Sequence, residues 1–235
     1  MNEPGTIVDM LPHDLQAGVS ESVARRRMTV LALAGDAHAK EDSRPDSTRG
    51  RVLQAAISMF AERGFESCTM RDLAGPAGVK APALYNHFAS KEDILAEAMS
   101  IGLGDFYSWV LEPLADAPPE QWLELIVRRH TLYQLEHDTA RASELLMESE
   151  ALSRHLPESE YVRMRATQRE YVRLIRSLVA ATIEASSEDE ATVATYSVVA
   201  MCNWVKTWYR RDGNLTPSDI ADRVWQLVGR MLGQR

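Results

Sequence analysis

Residues 69–88 read TMRDLAGPAGVKAPALYNHF, and the way this stretch divides decides the fold. Thr69 followed three residues later by Asp72 is a capping box: hydroxyl and carboxylate each hold a backbone N–H that a helix start leaves unpaired. Leu73, Ala74, Ala77, Val79, Leu84 and Phe88 are the apolar positions that let two short helices fold onto each other. Gly78 is read as the tight turn between them, where a side chain would clash. Left outward on the second helix are Lys80, Ala81, Ala83, Tyr85, Asn86 and His87, ahead of Lys91 at the next helix start. From Leu73 to Lys91 there is no acidic residue at all. Such a face suits a DNA major groove, because small side chains allow close approach and touch thymine methyls. Asn pairs with adenine, and Lys and Tyr reach phosphates.

The same helical logic extends in both directions, and no alternating run reads as a strand, so the chain is expected to be all-α. Val52, Leu53, Ala56, Ile57 and Phe60 recur at helical spacing with Gly64 as the stop, which predicts a helix over about 49–63. Ser90 with Asp93, and Thr216-Pro217 with Asp219, mark two more helix starts. Further helices are expected from Lys91 to Leu111, Pro119 to Glu136, Arg141 to Leu152, Glu158 to Ala185, Glu188 to Arg211 and Pro217 to Leu232. Ala191 to Val205 carries no charge and is apolar on nearly every face, so that helix must be covered on two sides. One side packs on its own domain and the other is expected to meet a second copy of the chain.

Residues 1–46 are punctuated by Pro4, Gly5, Pro12, Gly18 and Gly35, and only Ser20 to Ala34 has a helical pattern. This extension is expected to be disordered or loosely helical, with no packed role, so that its deletion leaves folding intact. A start at Met28 is the other reading. Its basic patch and short apolar run lie too far inside the chain, and after too many acids, for a secretion signal.

Composition excludes several classes. Against 26 Lys and Arg stand 34 Asp and Glu, a formal net charge of −8, which argues against a protein that coats nucleic acid without selectivity. Two isolated cysteines, Cys68 and Cys202, build neither a disulfide framework nor a four-ligand zinc site, and the cytosol is the expected compartment. The uncharged stretch is too short for a membrane span, which needs about 20 residues. The histidines and cysteines show no metal-ligand spacing, and there is no glycine-rich phosphate loop. Glu144, Glu148 and Glu150 lack the Glu-x-x-His pairs of a di-metal bundle. No enzyme, metal or cofactor is expected. A helical adaptor using the same two helices for protein contacts is the remaining class, and a DNA mobility shift separates the two.

Residues 51–99 resemble the DNA-binding domain of the Tet repressor (TetR) family. The resemblance rests on the helix RVLQAAISMFAERGF, the TMRDLA helix, the AGV turn and the LYNHFASKEDIL junction. It implies that Thr69 and Arg71 face DNA from the first helix of the pair. Lys80, Ala81, Pro82, Ala83, Tyr85 and Asn86 would lie in the recognition helix, with His87 and Lys91 touching or bracing against the DNA backbone. Two positions depart from the family. Gly75-Pro76 falls where the first helix would continue, so that helix is expected to be short or kinked. Lys80 replaces the usual Ser or Thr cap, at a cost of ~1 kcal/mol to the helix and with a gain of positive charge beside DNA.

For the rest of the chain the resemblance implies a ligand pocket and a dimer contact. The expected organisation is an extension at 1–46, a helix-turn-helix domain at 47–95 and a larger helical ligand-binding and dimerisation domain at 96–235. Residues 203–224, NWVKTWYRRDGNLTPSDIADRV, resemble a branch containing acyl-CoA-sensing regulators of fatty-acid and steroid catabolism. Trp204 and Trp208 lie four apart beside Lys206, Arg210 and Arg211, and aromatics with cations suit a ligand that has a flat apolar part and phosphates. Tyr107, Trp109, Trp122 and Met147 are further candidate pocket residues, with Tyr133, Met164 and Met201. The stripe Arg165, Arg169, Arg173 and Arg176 reads as a solvated face. The expected function is a homodimeric, ligand-responsive regulator, a repressor released from a palindromic operator by an acyl-CoA effector. The alternative is a sensor of a hydrophobic drug or metabolite without coenzyme A.

Overall fold

A computed structural model describes residues 13–35, 47–137, 154–183 and 187–233. Among these residues there is no strand. The helices are α1 (His13–Ala34), α2 (Thr48–Arg63), α3 (Met70–Ala74), α4 (Ala81–Leu84), α5 (Lys91–Leu111), α6 (Trp122–Glu136), α7 (Glu158–Thr182), α8 (Glu188–Trp208) and α9 (Pro217–Met231). Two short 3₁₀ turns, Glu112–Asp116 and Pro119–Gln121, lie between α5 and α6. The helix expected over Arg141 to Leu152, with Met147 on it, lies outside the described residues. None of the described helices is long and apolar enough to cross a membrane.

The start signals read from sequence work as local chemistry dictates. Ser47 accepts the Gly50 N–H at 2.9 Å, and both Thr69–Asp72 and Thr216–Asp219 form reciprocal capping boxes. At α5, Ser90 Oγ accepts from the Asp93 N–H at 3.1 Å. The stop signals are less exact. Helix α8 ends at Trp208 because Tyr209 turns to extended backbone (φ −63°, ψ 137°), so Arg210 and Arg211 lie beyond the helix rather than on it.

The chain divides into two compact units. One comprises residues 32–106 and 137–166. Its core joins Val52, Leu53, Ile57 and Phe60 of α2 to Leu73, Leu84 and Phe88 of the helix pair and to Ile94, Leu95 and Met99 of α5. The other unit comprises residues 1–31, 107–136 and 167–235. There α6 packs against both α8 and α9, burying Ile126 and Val127 with Val198, Cys202 and Val205 of α8 and Ile220, Val224 and Val228 of α9.

The N-terminal extension differs from expectation: His13–Ala34 is one continuous helix that buries Val23, Val30 and Ala34. Within the second unit, Arg27 of α1 donates from Nε to the Leu111 carbonyl (2.7 Å) and from Nη2 to that of Glu112 (3.0 Å). Helix α5 has no basic residue in its own last turn, so Arg27 supplies the donors that its C-terminal carbonyls need. Arg26 pairs with Glu170 at 3.3 Å. Within the first unit, α1 is capped in turn by Arg163, whose guanidinium donates to the Leu33 and Ala34 carbonyls at 2.9 and 3.2 Å.

Candidate nucleic-acid interface

The helix pair is built on short-range constraints. Helix α3 stops at Ala74, immediately before Gly75-Pro76, and the turn closes through Gly78 N–H to Gly75 O (2.9 Å) and Val79 N–H to Ala74 O (3.0 Å). Gly78 has φ +68°, while a Cβ placed on it would meet nothing within 4 Å. The glycine is therefore required for its left-handed backbone and not, as the sequence suggested, for lack of space. Lys80 begins α4 from extended backbone with no side-chain cap, and Pro82 sits in the first turn. After one α-helical turn the chain continues in tighter hydrogen bonds, Asn86 N–H to Ala83 O and His87 N–H to Leu84 O.

This arrangement buries Leu84 and Phe88 and leaves Lys80, Pro82, Tyr85 and Asn86 exposed, with Tyr85 58% accessible. Ala81, Ala83 and His87 are half-buried beside them. Arg71 is exposed on α3. Thr69 is exposed too, but its hydroxyl and backbone N–H both bond Asp72 Oδ2, at 2.6 and 2.9 Å, and these bonds hold the Asp72 carboxyl below its usual range. Lys91 is held inward. Its Nζ donates to the carbonyls of Phe65 (2.9 Å) and Cys68 (3.1 Å) and lies 4.3 Å from the centre of the Phe65 ring.

Two arginines of α2 support this surface. Arg51 Nε donates to the Ala77 carbonyl in the turn at 3.3 Å. Arg49 Nη1 donates to the His87 carbonyl at 2.6 Å, while its Nε and Nη2 form a fork on the Glu97 carboxylate. Nothing in the local sequence pattern marks Arg49 or Glu97, because their partners lie 38 and 48 residues away.

The described candidate effector residues do not form one cluster. Tyr107 is buried with its ring 5.2 Å from that of Tyr171, whose hydroxyl bonds His130 Nδ1 (3.0 Å). His130 Nε2 bonds Asn203 Oδ1 at 2.7 Å, and Gln134 Nε2 donates to the same oxygen. Since Asn203 Oδ1 only accepts, His130 carries its proton on Nε2 and Tyr171 donates to Nδ1. Burial pushes the His130 pKa down to about 4, so the imidazole is neutral near pH 7. This chain of hydrogen bonds ties α6, α7 and α8 together. Trp109 stacks under Arg129 (4.5 Å), and Trp122 is buried, its indole donating to Ala117 O. Trp204 and Trp208 are instead 68% and 51% exposed on α8, Arg211 is exposed, and Arg210 pairs with Asp212 at 3.2 Å. With Val193, Tyr196 and Ala200, the tryptophans make an outward stripe at helical spacing.

Residues 52–98 match the family of bacterial regulatory proteins of the tetR type, and residues 116–232 match the tetracyclin repressor-like C-terminal domain. The HTH-type transcriptional repressor KstR2 of Mycolicibacterium smegmatis is 29% identical over 79% of this chain and 91% of its own. A TetR-family transcriptional regulator from Bordetella parapertussis superposes with a TM-score of 0.65 at 26% identity, covering 78% of this chain and 94% of that one. AibR, solved in complex with isovaleryl coenzyme A and operator DNA, shares the fold with a TM-score of 0.64 at 23% identity, over 79% of this chain and 97% of that one. One family match on the helix-turn-helix and another on the helices that follow lead to a single assignment: the chain belongs to the TetR family of DNA-binding transcription regulators.

Proposed function

We propose that the chain is a homodimeric transcriptional repressor that holds a palindromic operator through α4 and is released by an acyl-CoA thioester. The observation that carries this reading is the acid-free exposed face of Lys80, Pro82, Tyr85 and Asn86 in a helix-turn-helix. In this reading residues 47–95 contact DNA and residues 96–235 bind the effector and the second copy. Two α4 helices must enter successive major grooves about 34–36 Å apart, so an effector that holds them at another spacing removes affinity without touching the reading residues. Arg71, Lys80 and Tyr85 supply phosphate contacts, Asn86 reads a base, and Lys91 acts by bracing the loop before α3.

A mobility shift with the full chain on a duplex selected from random-sequence DNA tests this. Tyr85→Ala is expected to weaken binding to every sequence. Asn86→Ala is expected to relax preference at one base pair as well, by about 1–3 kcal/mol. A wild-type chain that shifts no duplex would end the proposal.

The effector half rests on the cations Arg210 and Arg211 that follow α8, on KstR2-type relatives, and on a fold that in AibR accommodates a coenzyme A thioester. Arg210 leaves Asp212 to meet a phosphate in this scheme, a charge-assisted exchange of one anion for another. Arg210→Ala with Arg211→Ala is therefore expected to abolish release by a long acyl-CoA while operator binding persists. Release of that variant by the free fatty acid would instead favour the sensor of a hydrophobic ligand without coenzyme A.

A further inference from the structure

The reading segment is poorly equipped to hold its own shape. Helix α4 is a single turn of four residues, its N-cap Lys80 makes no capping bond, and one turn alone does not meet the cost of nucleating a helix. Its direction must come from contacts made elsewhere. At its C-terminal end the His87 carbonyl takes a hydrogen bond from Arg49 Nη1, and Arg49 lies 4.2 Å from the centre of the Phe88 ring. The remaining edge of that guanidinium is forked on Glu97 of α5, and the two side chains are only 16% and 13% exposed. A guanidinium oriented on three sides, by a carboxylate, a carbonyl and a ring face, has one geometry.

We propose that Arg49 is a positioning residue for DNA reading: aimed by Glu97, it fixes the His87 carbonyl and thereby the direction of the adjacent base-reading Asn86, without contacting DNA itself. The inference rests on α4 being the reading helix, and its test separates the two. Arg49→Ala, Arg49→Lys and Glu97→Gln are compared with wild type on the selected operator duplex and on a scrambled duplex, across a range of salt concentrations. Each is expected to lose tenfold or more in operator affinity, to keep its affinity for the scrambled duplex, and to keep the wild-type slope of log K against log salt. Arg49→Lys keeps the charge but not the fork, so it is expected to bind like Arg49→Ala.

Glu97→Gln is the decisive variant, because removing an acid from a DNA-binding domain would by charge alone tighten binding. Wild-type or tighter binding by Glu97→Gln overturns the proposal. So does a slope for Arg49→Ala that falls by about one ion, the signature of a lost phosphate contact. If Arg49→Ala fails to fold, Glu97→Gln alone decides. Failure of the underlying reading shows separately, as an Asn86→Ala variant that keeps full operator preference.

Discussion

Removing residues 1–35 is expected to lower the thermal midpoint of the chain by roughly 10 °C, on the scale of ~2–4 °C per kcal/mol for a protein of this size. The loss has two sources. Val30 is fully enclosed, and Val23 and Ala34 are nearly so. Burying such side chains stabilises by about 1.5–3 kcal/mol for each valine, partly offset by the entropy of ordering α1. Truncation also strips the Leu111 and Glu112 carbonyls of their guanidinium donor. The Leu111 carbonyl is the more enclosed of the two, and an acceptor withdrawn from water and left without a partner costs about 1–3 kcal/mol. Arg27→Ala isolates this second part and is expected to cost several degrees alone, whereas Arg25→Ala, whose partner is Glu21 on the exposed side of the helix, is expected to be neutral. Calorimetry on the three variants checks the assignment. A truncated chain that melts with the wild type would return α1 to the status of a dispensable tail.

That helix is also where the sequence was hardest to read. Val23, Arg27, Val30 and Ala34 lie at i, i+4, i+7 and i+11, so they share one face, but an arginine interrupts the apolar stripe. It belongs there because its stem packs while its head reaches carbonyls 84 and 85 residues away. A run of three arginines read along the chain looks like a solvated arm. The features that were legible are those whose partners lie within one helical turn: the capping boxes at Thr69 and Thr216, the stop at Gly64, and the truncation of α3 by Gly75-Pro76. The exposed face of α4 was legible for the same reason, since alternation of buried Leu84 and Phe88 with exposed Tyr85 and Asn86 is a matter of periodicity. Its supports were not. The sequence reading has Lys91 touching or bracing against the DNA backbone, and only the fold shows the carbonyls of Phe65 and Cys68 that its ammonium group holds. In the same way Trp204, Trp208, Arg210 and Arg211 are neighbours in sequence, yet the end of α8 at Trp208 separates the aromatic face from the cations.

Trp204→Glu is expected to convert a dimer into a monomer at micromolar concentration and to cost at least three orders of magnitude in operator affinity. The uncharged run of α8 explains why. Ala191, Thr195, Val198, Cys202 and Val205 face the interior of their unit, while Val193, Tyr196, Ala200 and Trp204 form a stripe open to solvent, with Leu227 and Met231 exposed on α9. An apolar stripe with no charge along it suits a self-complementary contact, in which each side chain appears twice about a two-fold axis. A carboxylate introduced there is buried twice without a counter-ion, a far larger penalty than the loss of one indole. Operator binding is expected to follow the dimer, because in the proposed arrangement the second α4 reaches its half-site at an effective concentration that the dimer alone provides. Sedimentation equilibrium together with mobility shifts on full and half operators measures both effects, and Leu215→Glu, placed before α9, is the matched control that should leave the dimer whole. If Trp204→Glu remains dimeric and bound to operator but ignores an acyl-CoA, the tryptophan belongs to the effector site, as its neighbours in sequence first suggested, and the dimer contact must be sought on another face.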